Sequence, residues 1–388
     1  RKIKDDIYSV GVIDWHRKLF DELIPLPDGT SYNSYFIKGK AKNAIIDTVE
    51  PDFDQDFLDN LDQLGVEKVD YIISNHAEQD HSGTIPILLE RFPEAEVLSS
   101  EKAKPMLLDL LELDAKQIRV VEDGETIDLG GKTLEFIDTP WVHWPETMST
   151  YLQEENILFP CDFFGSHLAT SDLFVEDHNE VYKAAKRYYA EIMMPFRMII
   201  KKNLAKLEDY EIEMIAPSHG PIYDNPDMIL DAYQDWVSDQ VKPEVVVPYV
   251  SMHGSTKDLI NYFISSLIDE GIKVKPFDLT DVDIGDLAIS LVDASTVIFG
   301  SPTVLTGPHP SAVYAAYLAN VLKPKTRYAS IIGSYGWAGR MTDKLLDLMP
   351  NLKVDLYDPV IAKGHGAEED YQEIDRLVAE IKTDLEDL

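Results

Sequence analysis

Four side chains able to bind a metal, His76, Glu78, Asp80 and His81, fall within six residues of the stretch 75-NHAEQDHSG-83. The stretch follows the apolar run 69-VDYIIS-74 and reads as a turn leaving a strand. Asn75, Ser82 and Gly83 suit a turn that must expose its side chains. Three later segments deliver residues of the same kind just past a strand: His143 ends 133-TLEFIDTPWVH-143, Asp162 follows 156-NILFPC-161, and His219 follows 211-EIEMIAPS-218. Strand ends on one edge of a sheet are neighbours in space, so these scattered residues can converge. Together they offer four imidazoles and three carboxylates, enough for two metals, with Asp162 able to bridge. Carboxylate-rich nitrogen and oxygen ligation without thiolate favours iron or manganese, although zinc accepts carboxylates too. Any one of these residues taken singly is an ordinary loop residue; the convergence carries the reading.

A second constellation begins at 251-SMHGST-256, between a strand and a helix. Small and hydroxyl residues at such a turn (Ser251, Met252, His253, Gly254, Ser255, Thr256) present backbone N–H groups at a helix N-terminus, which binds phosphate. Lys257 follows the threonine, so the nucleotide P-loop pattern is not met, and G-x-G-x-x-G is absent. A monophosphate, as in FMN, remains. Two later strand ends, in 300-GSPTVLTGPHP-310 and 333-GSYGWAGR-340, lie where ligands bind in open α/β sheets. They add Pro302, Thr303, Val304 and Leu305, then Ser334, Tyr335, Gly336, Trp337, Ala338 and Gly339. Trp337 or Tyr335 is expected to stack on a flavin ring, with the small residues beside them letting backbone approach it.

The elements that must position these groups show two rhythms. Up to about residue 150, short β-rich runs dominate, separated by helical patterns such as 53-FDQDFLDNLDQLG-65 and 84-TIPILLERF-92. A long helical stretch, 180-EVYKAAKRYYAEIMMPFRMIIKKNLAKL-207, is expected to break at Pro195. From 245-VVVPYVS-251 onward, buried strands alternate with amphipathic helices, which indicates a doubly wound parallel sheet. Lys242-Pro243 reads as the linker.

The 388 residues suffice for two domains of ordinary core size. With 35 Lys+Arg against 70 Asp+Glu, the formal charge is −35, which argues against nucleic acid or an anionic membrane as partner. The single cysteine, Cys161, excludes an internal disulfide framework and a Cys₄ metal module, and points to a reducing, cytoplasmic setting. No run is long enough for a signal peptide or a membrane span.

H-x-E-x-D-H in 76-HAEQDH-81, with the later histidine, aspartate and histidine, resembles the flavodiiron branch of the metallo-β-lactamase fold. Zinc hydrolases of that fold have histidine at the position of Glu78. The second half resembles the family's flavodoxin-like domain, so the likeness covers nearly the whole chain. It implies a metallo-β-lactamase-like αββα sandwich over residues 1–242 and a flavodoxin-like sheet over 243–388. It further implies that His76, Glu78 and His143 hold one iron, that Asp80, His81 and His219 hold the other, and that Asp162 bridges. FMN relays electrons, and the product chemistry is O₂ to water, NO to N₂O, or both, in an anaerobe's defence against these gases. Tyr189, Trp144 and His167 lie in segments resembling residues that surround the metals. By analogy a head-to-tail dimer is expected. One cysteine leaves no paired C-x-x-C for a rubredoxin module, so electrons come from a separate rubredoxin, reduced coenzyme F420 or another reductase. The competing readings are a zinc hydrolase fused to an electron-transfer module, against which Glu78 argues, and a non-catalytic electron carrier, against which the complete ligand set argues.

Overall fold

The computed structural model describes residues 1–20, 23–337 and 339–388. They form two compact units, Arg1–Tyr188 with Phe196–Val237, and Tyr189–Pro195 with Ser238–Leu388. Among the described residues, no helix is long and apolar enough to cross a membrane.

In the first unit a seven-stranded sheet runs Lys2–Lys4, Ile7–Ser9, Tyr35–Lys38, Asn43–Ile46, Tyr71–Ser74, Glu96–Ser99, Ile118–Val120. A five-stranded sheet runs Thr126–Asp128, Thr133–Asp138, Met148–Leu152, Ile157–Phe159, Met214–Ile215. The inner strands, such as Tyr71–Ser74 and Ile157–Phe159, are short and buried on both faces, as a sheet covered on both sides requires. Successive side chains point to opposite faces, so each strand serves two cores. Ile45, Ile72 and Val97 pack with Phe57, Leu61, Leu88 and Leu107 of the helices Asp54–Gln63, Ile85–Arg91 and Ala103–Leu111. Their neighbours Ile46, Ile73 and Leu98 turn the other way and meet Leu134, Phe136, Met148 and Phe159 of the second sheet. This two-sheet sandwich with helices outside has the layering that the first half's resemblance implies.

The second unit's sheet is parallel along its main path, in the order Lys273–Asp278, Lys242–Tyr249, Ala294–Val304, Tyr328–Tyr335, with Asp355–Leu356 and Val360–Lys363 both on the last. That is the flavodoxin-like order, second strand first, with its switch point beside the first and third strands. Val246, Val297 and Ile331 face one helix layer, while Val247, Ile298 and Ile332 face the other.

Several expectations are corrected. Lys242 and Pro243 do not link; they open the first strand, where Lys242 donates to the Asp293 carbonyl and Pro243 sits at the strand's start, a tolerated place for a residue without a donor. The long helix does break, but already at Tyr189: the α-helix His178–Tyr188 passes through a π turn, Tyr189–Met193, and a 3₁₀ turn before Arg197–Leu207. Pro195, which has no N–H to give to a carbonyl four residues back, lies in the 3₁₀ turn Met194–Phe196. The helix Ile284–Leu291 was not among the sequence expectations, although its N-cap, Asp283, accepts from the Gly285 N–H and is a legible start signal.

Ile73 is fully buried between the two sheets of the first unit. Ile73→Ala should lower that unit's stability by about 2–5 kcal/mol, read as a shift of its denaturant midpoint while the second unit's transition stays in place.

Candidate metal centre

The strand Tyr71–Ser74 ends beside Asn43–Ile46, and the residues leaving that second strand grip the turn at both ends. Asp47 accepts from the Asn75 backbone N–H at 2.8 Å and from its side-chain amide at 2.9 Å. Thr48 donates to the His81 carbonyl from its N–H at 2.7 Å and its hydroxyl at 2.9 Å. Asn75 in turn accepts the Thr150 hydroxyl at 2.8 Å, which ties the turn to the second sheet. Between these grips, Glu78 precedes the one-turn helix Gln79–Ser82 that carries Asp80 and His81.

The four segments converge. His76, Glu78, His143 and Asp162 place ligand atoms within 4.8 Å of one another, and so do Asp80, His81 and His219. Asp162 stands between the two groups and divides its oxygens. Its Oδ2 lies 3.4 Å from His76 Nε2 and 3.5 Å from His143 Nε2; its Oδ1 lies 2.9 Å from His81 Nε2 and 3.4 Å from His219 Nε2. Glu78 Oε2 is 3.0 Å from both His76 Nε2 and His143 Nε2. Asp80 Oδ2 is 3.1 Å from His81 Nε2 and 3.3 Å from His219 Nε2.

Several of these atoms approach closely without a directed hydrogen bond. Both oxygens of Asp80, both ring nitrogens of His81 and Nε2 of His219 are buried and make none. A buried polar atom without a partner costs about 1–3 kcal/mol, and the atoms of this set that face one another across the cluster, those of Asp80 with Nε2 of His81 and His219, suit a common partner. Lone pairs from imidazole and carboxylate, aimed at two points with one carboxylate shared, fit a pair of cations of the iron or manganese class.

Groups behind the ligands fix the ring orientations. His76 Nδ1 is 2.6 Å from Glu146 Oε1, and His219 Nδ1 donates to the Ser31 carbonyl at 2.6 Å. In each case the outward nitrogen is engaged and Nε2 is turned to the centre. His76, His81, Asp162 and His219 are closed off, whereas the side chains of Glu78 and His143 keep 14% and 13% exposure, so the centre opens on their side.

The charges balance internally. Burial alone would depress the imidazoles, but Glu146 and Glu78 hold His76 well above its ordinary value. Asp80 and Asp162 lift His81 to about 9, and Asp162 with Glu78 lifts His143 to about 9. Burial would raise Glu78, yet the hydrogen bonds of His143 and His76 outweigh it and hold that carboxyl far below the usual range. His167 goes the other way: burial and the neighbouring His219 push it well below its ordinary value, so it is neutral.

His167 comes to the centre as expected, its ring 4.7 Å from that of His219 and its Nδ1 2.9 Å from the Thr30 hydroxyl. Trp144 stands edge-on to His76 at 5.0 Å. The ring against His167 and His219, at 4.8 and 5.7 Å, is that of Tyr188, the residue before the expected Tyr189, which is itself fully buried. Tyr188 is the last α-helical residue, while Tyr189 starts the π turn and goes with the second unit. Glu146, Ser31 and Phe20 were missed. Glu146 lies in 143-HWPE-146, but its partner is 70 residues away and no spacing rule joins them.

In the second unit, Ser251, Met252, His253, Ser255, Thr256, Pro302, Thr303, Ser334, Tyr335 and Gly336 line a cleft of about 180 Å³. An adjoining cleft of about 360 Å³ shares Thr303 and Tyr335 and reaches Gly339 and Arg340. Gly254 caps the helix Ser255–Asp269 at φ 95°, a backbone only glycine adopts freely, and the Ser251 hydroxyl accepts the Lys257 N–H of its first turn at 3.2 Å. The Ser255 and Thr256 N–H groups ahead of it are left for an anion. Val304, Leu305 and Trp337 line neither cleft. The short antiparallel pairing of Thr303–Val304 with Gly307–Pro308 lifts the loop tip off the sheet edge, leaving Leu305 90% exposed, and Trp337 is 78% exposed. Ala338 lies outside the described residues. Gly364 was missed although it follows the last strand, where the strand-end rule applies.

Residues 30–220 match the model of the ODP family beta lactamase. A nitric oxide reductase of Moorella thermoacetica is 35% identical over 367 residues, 91% of this chain and 90% of its own. A flavo-diiron protein of Clostridium acetobutylicum is 32% identical over 374 residues, 92% of each chain. The chain belongs to the flavodiiron family. The solved rubredoxin oxygen:oxidoreductase of Desulfovibrio gigas superposes with a TM-score of 0.96 at 28% identity, covering 100% of this chain and 98% of that one. These flavodiiron relatives are oxidoreductases, and the hydrolase reading is not favoured.

Metal binding to this flavodiiron chain should displace protons. The imidazoliums of His76, His81 and His143 lie above neutrality in the metal-free protein. Loading the stripped protein at pH 7.5 should therefore release about three protons per chain, measured by calorimetry in buffers of different ionisation enthalpy. These raised values also stabilise the metal-free fold below the ordinary imidazole range, and that contribution is lost as pH rises through about 9. Its thermal midpoint should fall over that interval.

Proposed function

We propose that the protein reduces O₂ to water, NO to N₂O, or both, at a pair of non-haem irons fed by FMN. The division of the Asp162 oxygens between two imidazole pairs carries this reading. His76, Glu78 and His143 would hold one iron, Asp80, His81 and His219 the other, with Asp162 across both. When bound, two ferrous irons supply one electron each and reduced FMN two, which is the four that O₂ needs to reach water or twice the pair that two NO molecules need to reach N₂O.

The chain's own residues shape the surroundings. Glu78, ionised and largely buried, brings a negative charge where a zinc hydrolase of this fold would have a neutral ring, and so favours the more highly charged metal states. Phe20 covers the rings of His167 and His219 at 4.9 and 6.2 Å and keeps water from that side. Tyr188 keeps its hydroxyl proton at neutral pH, because burial and then Asp162 and Asp80 push it well above its ordinary value. It remains a hydrogen-bond donor beside the centre. His167, neutral, keeps one ring N–H, and its Nε2 is buried without a partner.

In the second unit, Ser255 and Thr256 at the helix start would take the FMN phosphate, and the Thr256 and Ser334 hydroxyls, 2.9 Å apart, brace that turn. The clefts continuing past Thr303 and Tyr335 would take the rest of the flavin. The exposed Leu305 and Trp337 beside them fit a face that another molecule covers, a second copy in the family's head-to-tail manner or a separate electron donor such as a rubredoxin.

Iron and flavin analysis of anaerobically purified protein, followed by stopped-flow mixing of the reduced form with each gas, tests the reading. Two irons and one FMN per chain, with fast reoxidation by at least one gas, is expected; zinc in place of iron, or no flavin, would refute it. Glu78→Ala should keep FMN while losing iron and gas reduction. Gly254→Val, strained at φ 95°, should weaken FMN about ten-fold in a fluorescence titration and leave the iron content unchanged.

A further inference from the structure

The two candidate metal positions have matched ligand sets: two imidazoles, one carboxylate of their own (Glu78 or Asp80), and one oxygen of Asp162. What lies behind the imidazoles is not matched. His219 Nδ1 donates to a neutral backbone carbonyl, that of Ser31, and His81 Nδ1 has no partner. His76 Nδ1 faces a fourth carboxylate, Glu146, at 2.6 Å. The Glu146 side chain is fully buried, it also takes the Ala77 N–H at 3.1 Å, and its second oxygen has no partner. Among the described residues no lysine or arginine pairs with it; His76 is its one ionic neighbour. Its backbone is pinned by the Ser100 hydroxyl at 2.6 Å, so the carboxylate is held in place.

A carboxylate that accepts the outer N–H of a metal-bound imidazole draws that proton toward itself and makes the ring a stronger, more anionic donor. In a buried site its negative charge also favours the more positive state of a nearby cation. We propose that Glu146, acting through His76, makes the two positions electronically unequal, so that the one held by His76, Glu78 and His143 favours ferric iron and the one held by Asp80, His81 and His219 favours ferrous iron. Glu146 is thus a positioning residue that sets a difference in potential within the pair. In half-reduced protein the remaining ferrous ion sits at the closed position, beside Phe20, His167 and Tyr188, and the ferric ion at the position that opens toward Glu78 and His143. The inference rests on the di-iron reading above and deepens it.

The test is a redox titration of the iron- and flavin-loaded protein, following the mixed-valent signal by electron paramagnetic resonance, in wild type, Glu146→Gln and Glu146→Asp. Glutamine keeps an acceptor oxygen without the charge; aspartate keeps the charge. In E146Q one iron couple should lose about ten-fold in ferric preference, a rise of about 59 mV for one electron, while the other stays put and the mixed-valent window narrows. E146D should lie nearer wild type than E146Q does. Unmoved couples in E146Q, equal movement of both, or the same shift in E146D and E146Q would each overturn the proposal, because shape and not charge would then be at work. Should E146Q lose iron, Mn²⁺ titration of the stripped protein replaces the potentials: one of two sites weakened about 10–100-fold supports the proposal, and equal weakening of both overturns it. Wild-type protein that takes up no pair of irons would instead sink the di-iron reading itself.

Discussion

Asp162 must answer to two pairs of imidazoles at once, and the first unit is organised around that demand. A carboxylate only 1% exposed costs several kcal/mol unless charges of opposite sign surround it. Its two oxygens are each faced by two imidazole nitrogens, so the cost is offset from both sides. No single segment can supply four rings in that arrangement. The sandwich can, because it ends four separate strands along one rim and sends a turn from each across it.

Rigidity at that rim comes from the backbone more than from the ligands. The Asp47–Thr48 pair fastens the turn on both sides of its ligands, and Ser218, beside His219, donates to Asp162 Oδ1 at 2.9 Å. Asp47 is itself buried, and burial raises its carboxyl to about 6 even with Asn75 donating twice. A fold that keeps such a group invests it in a fixed geometry, here the spacing from Asn75 to His81. The ligands can then stay poised around two points while several of their atoms lack partners within the chain.

How much of this the sequence showed follows from how local each signal is. The turn 76-HAEQDH-81 was legible as a candidate because four metal-binding residue types lie within one turn, and His143, Asp162 and His219 because each closely follows an apolar strand. The cleft-lining residues of 251–256 and those at the ends of the third and fourth strands of the parallel sheet were legible because each group lies at a strand end. Glu146, Ser31, Thr30 and Phe20 were not, because each works through a contact between segments far apart in the chain and has no spacing of its own. Tyr188 and Tyr189 differ by one residue, and no periodicity told in advance that the Tyr188 ring lies against His167 and His219 at the end of the α-helix. Lys242-Pro243 reads as a linker from composition; pairing with the strand Ala294–Val304 overrides that.

The charge of the centre gives Glu78 a reason beyond its hardness as a ligand. Four buried or nearly buried carboxylates, Glu78, Asp80, Asp162 and Glu146, surround the histidines. Two divalent cations with neutral imidazoles would balance them, and in the metal-free chain the imidazoliums of His76, His81 and His143 come close to doing so. With a histidine in place of Glu78 the same two cations would leave one positive charge over, which suits holding a hydroxide. With glutamate the pocket would be neutral before oxidation, so each electron removed would leave one positive charge fewer than at a site with histidine there. The residue that distinguishes this turn from its hydrolytic counterparts therefore changes which oxidation states a buried pair of metals can visit.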